Sequence, residues 1–310
     1  MKVKNYLVTG AAGFIGSHLA NYLISKGNKV YTIDNLSTGF KSNINPKIKF
    51  IKGNCQDIRI LKKIEGLNFE AIFHIAGQSS GEISFSKPNL DFESNLLSTI
   101  RIIELCLKTK NKRFIYASSM SVYGNNSKPS VSEISKTNPI SFYGLSKLTS
   151  EKFMENYAKK GLKYTSLRLF NVYGPNQNMN NLKQGMISIY LKQIIDNSSI
   201  IIKGSGERYR DFIHVNDVVE IIIKILNKKS TINQLINIGT GVKTKVKDVI
   251  KILSKKFEIK NNKIKYKGFT QGDQFGIYSN NKKLISIIGN YNFTKLEKGI
   301  ENMISSLKLK

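Results

Sequence analysis

Three side chains of this sequence have the types and spacing of a proton-transfer centre. Tyr143 and Lys147 stand four residues apart in Tyr143-Gly-Leu-Ser-Lys147, which puts a phenol and an ammonium on one face of a helix. A cation beside a phenol stabilises the phenolate and lowers the phenol pKa toward working pH, as proton-transfer catalysis requires. Taken alone, Tyr-x-x-x-Lys is a common surface pair. Here it follows Tyr116-Ala-Ser118-Ser119-Met120-Ser121-Val-Tyr-Gly124, which leaves a strand-like run at its carboxyl end, where ligands of open α/β sheets gather.

A second constellation lies at the amino-terminal end, in Thr9-Gly10-Ala-Ala-Gly13-Phe14-Ile15-Gly16. Gly10 suits a tight turn, Gly13 lets backbone amides approach a pyrophosphate, and Gly16 allows close packing of helix on strand. The anion then sits at a helix amino terminus, where free N–H groups and the macrodipole favour it. The next strand-like run ends at Asp34, 18 residues beyond Gly16, placed to accept hydrogen bonds from a ribose diol. A carboxylate there repels a 2′-phosphate, so NAD is expected rather than NADP.

These residues need a scaffold, and the hydrophobic pattern supplies one. Runs at 3–9, 29–33, 48–51, 71–75, 113–117 and 164–169 read as buried strands, separated by helical patterns at 15–25, 88–109 and 143–160. This β-α alternation predicts an α/β fold, a doubly wound parallel sheet of the Rossmann type over residues 1–172. From Asn171 onward Gly, Asn and Pro loosen the pattern. Residues 173–310 read as a smaller carboxyl-terminal α/β domain for the substrate, with the chain crossing back near 210–219.

The formal net charge is +28, carried by 49 basic residues of which six are Arg. The lysines are spread along the chain and no nucleic-acid motif accompanies them, so an anionic small substrate is expected rather than a nucleic acid. Two distant cysteines, Cys55 and Cys106, imply neither a disulfide framework nor a metal site and fit a reducing cytoplasm. The apolar runs are too short to span a bilayer, and the amino-terminal stretch reads as a glycine turn rather than a signal peptide.

The Gly-x-x-Gly-x-x-Gly spacing resembles the extended short-chain dehydrogenase/reductase family, and Asp34-Asn35-Leu-Ser-Thr-Gly39 resembles its nucleotide-sugar epimerases of the UDP-glucose 4-epimerase kind. The resemblance runs through nearly the whole chain. It implies a cofactor site of Gly10, Gly13, Phe14, Ile15, Gly16, Asp34, Asn35, Asn54, Cys55, Ile75, Ala76, Gly77 and Asn95, with Tyr143 and Lys147. Asn54 stands where the family often has an Asp for the adenine amino group, and an amide oxygen can accept the same bond. Ser119 would bond the reacting sugar hydroxyl, Tyr143 would take its proton, and Lys147 would hold the nicotinamide ribose. Gln78, Asn171, Arg210 and Asp273 would hold the substrate, with Arg210 clamping the diphosphate.

Two departures narrow the activity. Met120 and Ser121 replace the acidic pair of the related 4,6-dehydratases, which disfavours loss of water. Thr270 stands where many members have a second diphosphate-binding Arg, and Lys203 where an aromatic residue can contact the base, so the base is left open. The resemblance implies a homodimeric nucleotide-sugar epimerase acting by transient oxidation at C4. The alternatives are a 4-dehydrogenase that releases the keto-sugar, a 4,6-dehydratase, and a non-catalytic NAD-binding sensor.

Overall fold

The computed structural model describes residues 3–307. Seven parallel strands form the central sheet: β1 (Asn5–Thr9), β2 (Lys29–Asp34), β3 (Lys49–Lys52), β4 (Ala71–His74), β5 (Arg113–Ser119), β6 (Lys163–Leu169) and β7 (Gln234–Ile238). Their spatial order is β3-β2-β1-β4-β5-β6-β7. The order reverses between β1 and β4, so the connections leave their carboxyl ends in opposite directions and open a crevice there. This is the Rossmann-type α/β sheet that the alternation predicts. The seventh strand lies beyond the boundary expected at residue 172. Its pattern is masked by Asn237, a fully buried residue whose amide bonds Tyr123 Oη at 2.6 Å and the Val131 carbonyl at 3.0 Å.

Both sheet faces are covered, which explains why β4 and β5 are buried at every position. The main helices are α1 (Phe14–Ser25), α2 (Ser98–Leu107), α3 (Phe142–Ala158), α4 (Met186–Ile195), α5 (Val215–Leu226) and α6 (Val246–Phe257). One face carries α1 and α5, with Leu19, Leu23, Val218 and Ile222 packed in one core with Val8 and Ile115. The other carries α2 and α3, with Ile102, Cys106 and Met154 clustered with Leu7, Ile72 and Tyr116. Leu7 and Val8 point to opposite faces because side chains alternate along a strand. A buried aliphatic side chain of this kind contributes about 1.5–3 kcal/mol.

A third core joins α4, α6 and two short parallel strands, Ile200–Ile202 and Ile264–Tyr266. It stands beside the carboxyl ends of β5 and β6 and walls the crevice. The helix expected over 88–109 is instead three pieces: Pro88–Asp91, a π-helical turn Phe92–Leu97, and α2. The hydroxyls of Ser94, Ser98 and Thr99 bond the carbonyls four residues back at 2.5–2.6 Å. These bonds compete with the backbone ladder and open the helix where Asn95 must turn inward.

Candidate active site

Ser119 ends β5 and caps the short helical turn that follows, accepting from the Ser121 N–H at 3.1 Å. Tyr143 and Lys147 lie on the first two turns of α3, whose amino terminus is capped by Ser141 Oγ accepting from the Gly144 N–H at 3.1 Å. Gly144 sets the distance between the two elements. A β-carbon there would meet the Ser121 carbonyl oxygen at 2.6 Å and push α3 away from Ser119. A buried ion pair secures the middle of the helix. Glu151 on α3 bonds Arg168 on β6 at 2.7 Å and accepts from the Ser118 hydroxyl at 2.6 Å. Arg168 is thereby a structural residue.

Lys147 Nζ donates to the Ala117 carbonyl at 2.8 Å and lies 5.8 Å from the centre of the Tyr143 ring. Burial lowers its pKa from 10.5 to about 8, against the opposing pull of the Asp91 and Glu151 carboxylates. The lowered phenol pKa expected for Tyr143 is not found in the protein alone. Burial raises it to about 12, with the Ser119 hydroxyl opposing and the Asp91 charge reinforcing the rise. At 5.8 Å from the ring centre, and with one of its three N–H groups given to Ala117, the ammonium does not offset the cost of a buried phenolate.

Ser119, Tyr143 and Lys147 line one cavity of about 660 Å³, together with Phe14, Ile15, Ile75, Gly77, Gln78, Asn171, Arg210 and Asp273. Of the remaining expected cofactor residues, Gly10, Gly13 and Gly16 lie between β1 and the first turn of α1, Asp34, Asn35, Asn54 and Cys55 at or after the ends of β2 and β3, and Ala76 and Asn95 on the β4 side. Gly10 has φ +75°, and a β-carbon on it would meet the Ala76 backbone at 2.8 Å; one on Gly16 would meet the Gly10 carbonyl oxygen at 2.1 Å. Among the described residues no side chain caps the start of α1, which leaves its first N–H groups for an anion. Asp34 is fixed by the N–H groups of Ala12 at 2.9 Å and Leu36 at 2.8 Å. Asn95 Oδ1 is buried without a partner beside Gly77. A cradle of this shape, one carboxylate and an orphaned acceptor fit a dinucleotide.

Several expected contacts are otherwise engaged. Both polar atoms of the Gln78 amide bond within the protein, to Ser80 and Asp91, so its side chain braces the loop after β4 rather than reaching out. The Asn54 Oδ1 accepts from Asn35 Nδ2 at 2.7 Å, which leaves one lone pair for an adenine amino group. Cys55 is packed in the core of the α2–α3 face, and burial raises its thiol pKa to about 12; its side chain is inert. Arg210 Nη1 donates to the Tyr209 and Phe275 carbonyls, and Nη2 to Gln274 and the Asp273 carboxylate. The free clamp expected of Arg210 is therefore a guanidinium with both terminal nitrogens occupied.

Residues 6–239 match the NAD dependent epimerase/dehydratase family. This chain belongs to that family. A putative UDP-glucose 4-epimerase of Methanocaldococcus jannaschii is 36% identical over 97% of this chain and 98% of its own length. A UDP-glucose 4-epimerase of Thermotoga maritima, solved with UDP-glucose, superposes with a TM-score of 0.92 at 33% identity, covering 97% of this chain and 98% of that one. The Thermus thermophilus UDP-glucose 4-epimerase complexed with NAD has a TM-score of 0.89 at 26% identity, with 97% and 98% covered. The cofactor of this epimerase/dehydratase family member is NAD, as the glycine cradle and Asp34 anticipate.

Two site residues escaped the reading of the sequence. Asp91 is fully buried and accepts from Gln78 Nε2 at 3.0 Å, Asn95 Nδ2 at 2.9 Å and Ser146 Oγ at 2.7 Å. It ties the loop after β4, the π-helical turn and α3 to one carboxylate. Arg208 lines the cavity and pairs with Asp273. The only signal for Asp91 is its place four residues before Asn95, one helical turn away. Arg208 sits two residues before Arg210, and residue type alone does not separate the two guanidiniums.

Proposed function

We propose that this protein is a nucleotide-sugar 4-epimerase that oxidises the sugar C4 hydroxyl transiently. The observation that carries this reading is the convergence of Ser119, Tyr143 and Lys147 on one cavity, at the strand ends where the glycine cradle opens. NAD, when bound, supplies the acceptor for the hydride that leaves the sugar carbon. The Ser119 hydroxyl orients the reacting hydroxyl and Tyr143 takes its proton. Lys147 holds a positive charge beside the phenol and donates to the ribose. After the keto-sugar has turned, Tyr143 gives the proton back to the sugar oxygen, and the centre is inverted because the hydride would return to the opposite face of the carbon.

The cavity wall favours an anionic substrate. It carries Lys147, Lys183, Lys203, Arg208 and Arg210 against the carboxylates of Glu82 and Asp273, a balance that suits a nucleoside diphosphate. Both carboxylates are held in ion pairs with those cations, and Met120 and Ser121 line the wall beside Ser119. Among the described residues of the wall no unpaired acid lies ready to remove water, which supports epimerisation over 4,6-dehydration.

The reading extends to a homodimer. Leu90, Phe92, Phe142, Leu145 and Phe153 are each 38–50% exposed on the segments around the π-helical turn and α3. An apolar face of this kind on a water-soluble scaffold calls for a partner, and a second copy would pack it as a bundle of helices. Sedimentation of Leu145→Glu at micromolar concentration should show monomers where the parent shows dimers. Two free, buried cysteines fit residence in the cytoplasm.

The deciding experiment offers the holoprotein UDP-, dTDP-, CDP- and GDP-sugars and analyses products by mass and NMR. Unchanged mass with inversion at C4 is expected. Loss of two hydrogens identifies a 4-dehydrogenase, loss of water a 4,6-dehydratase, and no turnover with NAD bound a sensor; each overturns the proposal.

A further inference from the structure

We infer that Arg208 is a further anion-binding residue of the substrate site, whose guanidinium presents a free Nη2 edge to the diphosphate beside Arg210. This rests on the nucleotide-sugar reading above. Arg208 and Arg210 leave the same short segment two residues apart and grip the two oxygens of Asp273, Arg208 through Nη1 on Oδ2 and Arg210 through Nη2 on Oδ1. Two guanidiniums share one carboxylate, so the cluster keeps one positive charge in the cavity wall.

The two arginines differ in what they have left. Arg210 spends both terminal nitrogens on Asp273 and three backbone carbonyls, which leaves it Nε among the described residues, and its side chain is 3% exposed. Arg208 spends Nε on the Ser205 carbonyl at 3.3 Å and Nη1 on Asp273. Its Nη2 has no hydrogen-bond partner among the described residues, and its side chain is 10% exposed in a cavity wall. A guanidinium whose planar edge is pinned on one side and open on the other is pre-organised to donate to an oxyanion. Tyr190 lines the same wall, and the charges of both arginines act on its phenol. Arg210 has a positioning role as well. It fixes Asp273, and Asp273 fixes the plane of Arg208.

The test uses the NAD-loaded protein and four probes, UDP, dTDP, CDP and GDP, each titrated calorimetrically against its own nucleoside. The parent should bind at least one diphosphate more tightly than the nucleoside. Arg208→Gln should lose about ten- to a hundredfold in that diphosphate's affinity, the size of one charge-assisted hydrogen bond. Its nucleoside affinity and its bound nicotinamide should be unchanged. Asp273 keeps Arg210 as a partner in this variant, so the loop remains paired. Should Arg208→Gln not fold, Arg208→Lys decides, because a point charge without the fork should lose several-fold. A parent that prefers the diphosphate and variants within twofold of it would overturn the role of Arg208. A parent that binds no diphosphate better than its nucleoside would overturn the nucleotide-sugar reading itself.

Discussion

Lys147 donates to the carbonyl oxygen of Ala117 at 2.8 Å, so the ammonium is tied to the strand that delivers Ser119. Its burial has opposite consequences for activity and for stability. The native pKa of about 8 lies below the ordinary 10.5, so between these values the unfolded chain holds more protons and folding stability rises with pH. At about 1.4 kcal/mol per unit, the parent should gain about 2–3 kcal/mol over Lys147→Met between pH 8 and pH 10. Parallel urea titrations would show it. Turnover that needs the ammonium should fall over the same interval, and equal stability slopes in parent and variant would refute the buried charge.

Tyr143→Phe removes one hydroxyl and keeps the ring. General acid–base groups supply about 10²- to 10⁴-fold, so kcat for nucleotide-sugar turnover should fall by that much while KM changes little. Bound nicotinamide, read by absorbance of the purified protein, should stay at the parent's level. With the phenol at about 12 in the protein alone, the active ionisation belongs to the loaded enzyme. A spectrophotometric titration of protein stripped of its dinucleotide should therefore show no tyrosinate absorbance from this residue at pH 9.

Gly16→Ala tests the cradle. Its β-carbon would lie 2.1 Å from the Gly10 carbonyl oxygen, and both groups are main chain or rigidly attached to it. The turn must open, which misplaces the free N–H groups of α1. Expected are loss of the copurifying nicotinamide and a fall of about 1–3 kcal/mol in stability, the usual cost of overpacking. Gly27→Ala is the control for chain chemistry, since a β-carbon there meets nothing within 4 Å although φ is +76°. It should keep the nicotinamide.

What the sequence made legible follows from which interactions are local. The glycine cradle, the capped start of α3 and the end of β5 are short stretches whose backbone demands appear in residue type, and the structure brings Ser119, Tyr143 and Lys147 to one cavity. The seventh strand was hidden because Asn237 interrupts an apolar run for a partner, Tyr123, that lies 114 residues away. The π-helical turn was hidden because helix periodicity cannot register hydroxyls that bond backward onto carbonyls. The bonds that Gln78 and Arg210 already make within the protein were hidden for one reason. Residue type tells what a side chain can bond, while the structure tells whether its atoms are already taken, and by whom.

Asp91 gives the last prediction. Three donors from three segments meet its carboxylate, and among the described residues it forms no ion pair. Asp91→Ala leaves the half-buried amide of Gln78 and the buried amide of Asn95 short of an acceptor, at about 1–3 kcal/mol for each unsatisfied buried group. A loss of about 2–5 kcal/mol in urea unfolding is expected. Asp91→Asn keeps the size and removes the charge, which separates bracing from electrostatics. Burial raises the Asp91 carboxyl above its ordinary 3.8, so the native state holds the proton more tightly. The parent's stability relative to Asp91→Asn should then decline as pH rises from 3.8 through the native value. The same charge holds the pKa of Lys147 up, so in Asp91→Asn the alkaline limb of kcat/KM should move to lower pH. A variant with lowered stability and an unmoved alkaline limb would leave Asp91 as a brace alone.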